Sequence, residues 1–274
     1  MTSQNNNSDY IPLGSRPIDR AGHHRTDTAW LEAAFARDDV LVLMLHKGLP
    51  LVSPAGGLVW LGPEAAKVAP DARRLFLGLD RNDTPIFALG LPDGFELEGS
   101  LIAGTGEFMD FRMAIGKLGE LEMNLASTAR SIFEWHKSHR FCARCGAESD
   151  STEAGWKRIC PECSAEHFPR TDPVAIMLAV SGDKCLLGRQ KMWPQGMWSC
   201  LAGFIEPGET LEQGAARELH EEAGILCHPA NAEYLFCQPW PFPSSLMIGM
   251  LLPAENEDIT IDPHELEAAR WVTR

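Results

Sequence analysis

Apolar residues along the chain fall first into short runs. Val40 to Leu45, Leu58 to Leu61, Arg74 to Leu79 and Pro85 to Leu91 are separated by Gly, Pro and Asp, and predict consecutive strands of an antiparallel sheet. From about Phe108 to Gly119, and again from Leu121 to His139, the spacing turns helical, with Ala126, Ala129, Ile132, Phe133 and His136 able to line one face. A second set of runs follows: Val174 to Val180 and Cys185 to Gly188, joined at Gly182-Asp183, then Met197 to Leu201, Tyr234 to Gln238, Leu246 to Leu252 and Ile259 to Ile261. One helix interrupts this set. Thr210 and Gln213 form a capping-box pattern, Leu211, Ala215, Leu219 and Ala223 recur at helical spacing, and Gly224 stands where a left-handed stop belongs. Strands on both sides of that helix predict an α/β fold, a mixed sheet packed by helices. Residues 1 to about 30 show little periodicity and read as a loose arm.

A chain of 274 residues exceeds what one core organises. The runs divide it into an N-terminal α+β domain over 1–138, a small module over 139–168 and an α/β domain over 169–274. The hydrophobic content of 45% is enough to bury real cores. A net charge of −14 argues against a surface that grips nucleic acid through its phosphates, and means that an anionic substrate needs bound cations. The opening MTSQNNNSDYIPLGS has no apolar signal region and no stretch approaches a membrane span. The expectation is a soluble, cytoplasmic protein with no membrane partner.

The small module is defined by its thiols. Cys142, Cys145, Cys160 and Cys163 have the spacing C-x2-C-x14-C-x2-C, which predicts two knuckles clamping one structural Zn²⁺. Four thiolates complete that shell, so His139 and His167 are not expected as ligands. Cys185, Cys200, Cys227 and Cys237 are scattered and read as small buried residues. Glu148, Asp150, Glu153, Glu162 and Glu166 stand against Arg140, Arg144, Lys157 and Arg158, a balance that lacks the basic excess of a nucleic-acid-binding ribbon and favours a structural strut.

Glu218, Glu221 and Glu222 lie at i, i+3 and i+4 on the central helix, so their carboxylates fall on one patch. They repel one another unless the patch binds cations, and hard ions such as Mg²⁺ or Mn²⁺ suit oxygen ligands and bridge to phosphates. The plainer alternative is a solvated acidic face. A second constellation is the run Gln238, Pro239, Trp240, Pro241, Phe242, Pro243, Ser244, Ser245. Rigid aromatics beside amide and hydroxyl groups suit a nucleotide base or a nicotinamide ring, but the same composition serves a proline-rich strand connection with its aromatics packed inward.

The stretch GFIEPGETLEQGAARELHEEAGI, from Gly203 to Ile225, resembles the Nudix box G-x5-E-x7-R-E-U-x-E-E-x-G-U at every specified position. Together with the upstream four-cysteine ribbon and the downstream QPWPFP-x-S, it resembles the NAD(H) pyrophosphatase family of Nudix hydrolases, over about Arg112 to Trp271. The resemblance implies a Nudix α/β/α sandwich and a homodimeric enzyme that splits NADH, and NAD⁺ less well, into AMP and the nicotinamide mononucleotide. It also implies possible action on NAD-capped RNA 5′ ends. By position it implies Glu218 and Glu222 as metal ligands with Glu221 as ligand or base, the Ala202 carbonyl and Glu265 as further ligands, and about two or three Mg²⁺ or Mn²⁺ ions. Either Glu221 or Glu222 would take the proton of the attacking water, while Arg217 orients the glutamates. Gln238 to Ser245 match the substrate segment, Phe204 a ring-stacking position, and Phe168 a position where some relatives have tyrosine. Arg112 matches a substrate-contacting arginine and reads equally as a lone surface arginine.

Two departures stand out. Cys237 replaces the serine of the family motif, removing a good hydrogen-bond donor, and relatives continue past the Trp271 region whereas this chain stops at Arg274, which leaves the C-terminal wall of the pocket in question. The competing functions are a Nudix hydrolase for another diphosphate such as ADP-ribose, which would not need the QPWPFP run, and a non-catalytic nucleotide sensor, which would be expected to lose box glutamates.

Overall fold

The computed structural model describes residues 11–14 and 18–273; residues 1–10 and 15–17 of the expected arm lie outside the described residues. The arm ends in a helix, α1 (Thr28–Phe35), capped by Asp27, whose side chain accepts from Trp30 N. The chain forms two compact units, Asp9–Arg170 with Pro241–Ser244, and Thr171–Trp240 with Ser245–Arg274. Among the described residues no helix is long and apolar enough to cross a membrane.

The N-terminal unit is built on β1 (Leu41–His46), β2 (Leu49–Val52), β3 (Arg73–Leu79), β4 (Pro85–Leu91) and β5 (Glu107–Phe108), in the order β3-β4-β1-β2-β5. The expectation of consecutive antiparallel strands is corrected here, because β1 pairs with β4 in parallel from Leu41↔Ile86 to His46↔Leu91. The reason lies in burial: the middle of β1 is buried on both faces, and a doubly covered strand reads as a continuous apolar run whose direction leaves no mark in the pattern. The strand expected over Leu58 to Leu61 is reduced to the isolated bridges Val52↔Leu58 and Val42↔Leu61. The true partner of β1 on that side is β2, reached by a two-residue turn in which Lys47 and Gly48 have φ of 53° and 77°.

Of the helical stretch expected from Phe108 to Gly119, only α2 (Phe111–Ile115) is regular, capped by Asp110. α3 (Glu120–Ser138) follows the expected pattern, burying Leu125, Ala126, Ala129, Ile132, Trp135 and His136. The ribbon forms β6 (Asp150–Thr152), β7 (Lys157–Ile159) and β8 (Glu166–His167), one small antiparallel sheet counted within this unit.

The second unit is a mixed sheet of β9 (Asp172–Ser181), β10 (Lys184–Arg189), β11 (Leu201–Phe204), β12 (Glu233–Trp240), β13 (Ser245–Pro253) and β14 (Ala268–Thr273). Its order is β12-β13-β9-β10-β14, with β11 also pairing β9, and β13 running parallel to β9. Ala175, Met177 and Ala179 of β9 and Ile248, Met250 and Leu252 of β13 alternate inward against Ala215, Leu219 and Ala223 of α4 (Leu211–Ala223). The strand expected over Met197 to Leu201 begins only at Leu201. Ile259 to Ile261 is no strand. Thr260 N and the adjacent Asp262 N donate to the carbonyls of Ala223 and Glu222, each at 2.9 Å, so the segment satisfies the end of α4 instead of a ladder. Cys185, Cys200, Cys227 and Cys237 are half-buried and free.

Candidate functional site

α4 is held at both ends as its sequence requires. The Thr210 hydroxyl accepts from Gln213 N at 3.3 Å, Gln213 Oε1 accepts from Thr210 N at 2.9 Å, and Gly224 closes the helix with φ of 69°. Gly203, on β11, faces the same helix. A Cβ there would lie 1.9 Å from Glu218 Cδ, so only glycine lets this carboxylate rest on the strand backbone.

The three helix glutamates have distinct environments. Glu221 is 57% exposed at its side chain and accepts from Arg217 Nη1 at 2.8 Å. Glu218, 14% exposed, accepts from the same nitrogen at 2.9 Å. Burial raises its pKa, Arg217 opposes that, and the charges of Glu221 and Glu265 add to it. Glu222 is 5% exposed, and burial, followed by the charges of Glu265 and Glu218, pushes its carboxyl up to about 8. Among the described residues Glu222 has no side-chain hydrogen bond, and no trio of carboxylates brings its oxygens within the reach of one ion. The spacing that predicted one acidic patch thus yields one exposed, one half-covered and one buried carboxylate.

Arg217 gathers the box. Nε donates to Glu209 at 2.6 Å, Nη1 to Glu218 and Glu221, and Nη2 to the Phe204 carbonyl and to Glu209, both at 2.9 Å. The Glu209 carboxyl is held down at about 2, chiefly by Arg217 and then by Glu206 N, which donates to it at 2.9 Å. These pairs raise the Arg217 pKa further, Glu209 most. A planar fork of five donors is the group that can hold three carboxylates and a carbonyl at once. Arg217 thus bonds to Glu209, Glu218 and Glu221 at once, and Glu209 is its principal partner.

The donors that the family resemblance implies are of the type a hard cation takes. Carboxylates of Glu218, Glu222 and Glu265 with the Ala202 carbonyl are all oxygen, and a buried carboxyl held neutral by its surroundings is a group that a divalent ion would stabilise as the anion. Ala202 is exposed on β11 opposite Ile176, and Glu265 is exposed in the turn before β14. In the ribbon, the sulfurs of Cys142, Cys145, Cys160 and Cys163 lie within 4.8 Å of one another, as tetrahedral zinc requires. His167 Nε2 lies 3.3 Å from Cys142 Sγ, beside a sulfur of that shell.

The proline-rich run is divided by the fold. Gln238, Pro239 and Trp240 belong to the edge strand β12, where a proline is tolerated, and Pro239 and Trp240 pair with Leu246 and Ser245 of β13. Only Pro241 to Ser244 form the turn, so the stiffened loop expected over the whole run is shorter. This turn counts with the N-terminal unit. Arg112 Cζ lies 4.5 Å from the Phe242 ring centre, Phe111 packs edge-on at 5.9 Å, and Arg130 Nε donates to the Pro241 carbonyl at 2.9 Å. Arg112 is thus an aromatic partner within the unit. Arg130, which the helical pattern gave no reason to single out, grips the turn and also donates from Nη1 to the Gly48 carbonyl at 2.5 Å. Phe204 and Phe168 are 59% and 61% exposed, each in its own unit.

Arg158, one of the charges set against the ribbon's carboxylates, is buried, donating to Ser149 Oγ at 2.8 Å, to the Ser149 and Arg140 carbonyls, and to His136 Nδ1 at 3.0 Å.

Three family profiles match the chain: a NUDIX domain over residues 169–274, an NADH pyrophosphatase zinc ribbon domain over 137–168, and an NADH pyrophosphatase-like rudimentary NUDIX domain over 40–135. The NAD-capped RNA hydrolase NudC of Mycobacterium bovis is 36% identical over 277 residues, covering 96% of this chain and 83% of that protein. The NAD-capped RNA hydrolase NUDT12 of Homo sapiens is 47% identical over 171 residues, 59% of this chain and 37% of its own length. The mitochondrial NAD(P)H pyrophosphatase NUDT13 of Homo sapiens is 36% identical over 236 residues, 80% of this chain and 66% of its own. The match to NUDT12 thus spans little more than a third of that relative.

Proposed function

The chain belongs to the NADH pyrophosphatase family of Nudix hydrolases, and we propose that it hydrolyses the diphosphate of NADH and NAD⁺ to AMP and the nicotinamide mononucleotide. The observation that carries this reading is the α4 site, with Glu222 buried and unpartnered by any side chain beside the charges of Glu218 and Glu265, and Arg217 holding the remaining box carboxylates. Glu218, Glu222, Glu265 and the Ala202 carbonyl would hold Mg²⁺ or Mn²⁺. A divalent ion held there would supply charge neutralisation at the diphosphate and lower the pKa of a bound water. Glu221 or Glu222 would serve as the proton acceptor for the hydrolytic water, Glu221 being the more exposed of the two. Arg217 positions the carboxylates, since its donors are already used by them. By their match to the family, Gln238 to Ser245, Phe204, Phe168 and Arg112 are each assigned to substrate contact, and within the N-terminal unit Arg112 and Arg130 hold the Phe242 turn.

The names of the relatives support NAD-capped RNA 5′ ends as a second substrate carrying the same diphosphate. Four thiols placed for zinc and four further cysteines outside any disulfide support a reducing, cytoplasmic setting, and the family resemblance supports a homodimer.

The test is incubation of the chain with NADH, NAD⁺ and ADP-ribose in turn, with Mg²⁺ or Mn²⁺, and chromatography of the products. AMP with reduced nicotinamide mononucleotide, formed fastest from NADH, is the expected result. Preferential cleavage of ADP-ribose would move the chain to another substrate class, and no cleavage of any would remove the hydrolase reading.

A further inference from the structure

The turn that carries Glu265 is built by the residue three before it. In Asp262-Pro263-His264-Glu265 an aspartate stands first and a proline second, an order that favours a tight turn, because proline presets its own φ and aspartate can bond forward to the backbone. Glu265 N donates to the Asp262 carbonyl at 3.2 Å, and Leu266 N donates to the same oxygen at 2.9 Å. The Asp262 carboxylate accepts from His264 N at 2.8 Å, satisfying the first N–H beyond a proline that has none.

Both ends of the turn are fixed. Ahead of it, Asp262 N donates to the Glu222 carbonyl at 2.9 Å, so the residue that folds the turn is bonded directly to the backbone of the buried carboxylate. Behind it, Leu266 is 4% exposed in the core shared with α4, and Glu267 is joined to Arg189, its N–H donating to the carbonyl at 2.8 Å and its carboxylate accepting from Nε at 2.6 Å. Glu265 itself is exposed, and among the described residues its carboxylate accepts no hydrogen bond and joins no ion pair. The backbone of the turn therefore decides where this side chain stands. It stands near α4, since burial first and then the charge of Glu265 raise the carboxyl of Glu222.

We propose that Asp262 is a positioning residue for Glu265: its carboxylate holds the turn closed and its N–H ties that turn to Glu222, so that the two glutamates are kept at one spacing for a divalent ion. This rests on the reading of Glu222 and Glu265 as ligands of Mg²⁺ or Mn²⁺ and deepens it, Asp262 acting on the site through the backbone alone.

Mn²⁺ binding to the full zinc-loaded chain, followed by loss of the paramagnetic resonance of free Mn²⁺, tests this without turnover. Asp262→Ala should bind about tenfold more weakly than Asp262→Asn. Both variants lose the same charge, but the amide oxygen still accepts from His264 N, so their difference isolates that bond. In a Glu265→Gln background the difference should vanish, which a general loosening of the fold would not bring about. Equal binding by the two variants, or a difference that persists in Glu265→Gln, would overturn the inference. No binding to the natural chain, or binding unchanged in Glu265→Gln, would overturn the metal reading and the inference with it. Should Asp262→Ala unfold, Asp262→Ser, whose hydroxyl bonds forward more weakly, takes its place with a smaller deficit against Asp262→Asn.

Discussion

Acid should destabilise the N-terminal unit through His136. Its ring is 1% exposed, Nε2 lies 2.8 Å from the Gly155 carbonyl, and Arg158 Nη1 lies 3.0 Å from Nδ1. An arginine N–H can only donate, so Nδ1 must be the bare nitrogen and Nε2 carries the proton. Protonation would set two donors face to face in a buried site. Burial, then the charge of Arg73, and also that of Arg158, bring the imidazole from 6.5 down to about 3, against the Gly155 bond. The unfolded chain takes up this proton below about 6.5 while the native chain refuses it until about 3. The stabilisation is therefore complete above pH 6.5 and is lost as pH falls towards 3. The slope is about 1.4 kcal/mol per pH unit, or roughly 3 kcal/mol over the first two units of acidification. Urea unfolding of the natural chain and of His136→Gln, from neutral pH downwards, measures it. The glutamine amide can still donate to Gly155 but does not titrate, and zinc thiolates protonate in both, so the difference between the profiles isolates the imidazole. Over those two units the natural chain should lose about 3 kcal/mol more than the variant. Parallel profiles would refute the neutral, arginine-facing imidazole.

Glu222→Gln should abolish turnover while leaving melting and zinc content intact; near-normal activity would remove Glu222 from the mechanism. Gly203→Ala places a methyl where Glu218 Cδ would be 1.9 Å away, so that carboxylate must move. Steady-state kinetics should show kcat falling by about a hundredfold, as expected for a misplaced catalytic group, and an unchanged kcat would show that Glu218 need not rest on the strand. Arg130→Met removes the bonds to the Pro241 and Gly48 carbonyls, and KM for NADH should rise by about tenfold with kcat little altered. An unchanged KM would detach the turn from substrate binding. Stripping zinc with a chelator, checked by elemental analysis, should lower the melting temperature, because a ribbon this small has little core of its own.

What was legible in the chain was local. The capping box, the Gly224 stop and the apolar stripe of α4 depend on neighbours within two turns, so Thr210, Gln213, Leu219 and Gly224 sit as their spacing predicts. The four thiols needed only two short knuckles to converge. Other features depend on partners distant in sequence. The parallel pairing of β1 with β4, the use of Ile259 to Ile261 as a cap for α4, and the edge position of β12 follow from how whole segments bury their faces and share backbone bonds. Strand runs state that a face is apolar and say nothing of direction or neighbour.

The same division runs through the site. Residue types and helical spacing determined that Glu218, Glu221 and Glu222 share one helix with Arg217. Only the tertiary structure decided which carboxylate is buried, because burial depends on what packs over the helix end, here the segment that bonds back to Glu222 and Ala223. It likewise decided that Arg130 grips a turn 111 residues away and that Arg158 leaves the ribbon surface for His136. Which ionisable group stands at a position is given by the sequence; its desolvation, its partners and hence its charge state belong to the folded molecule.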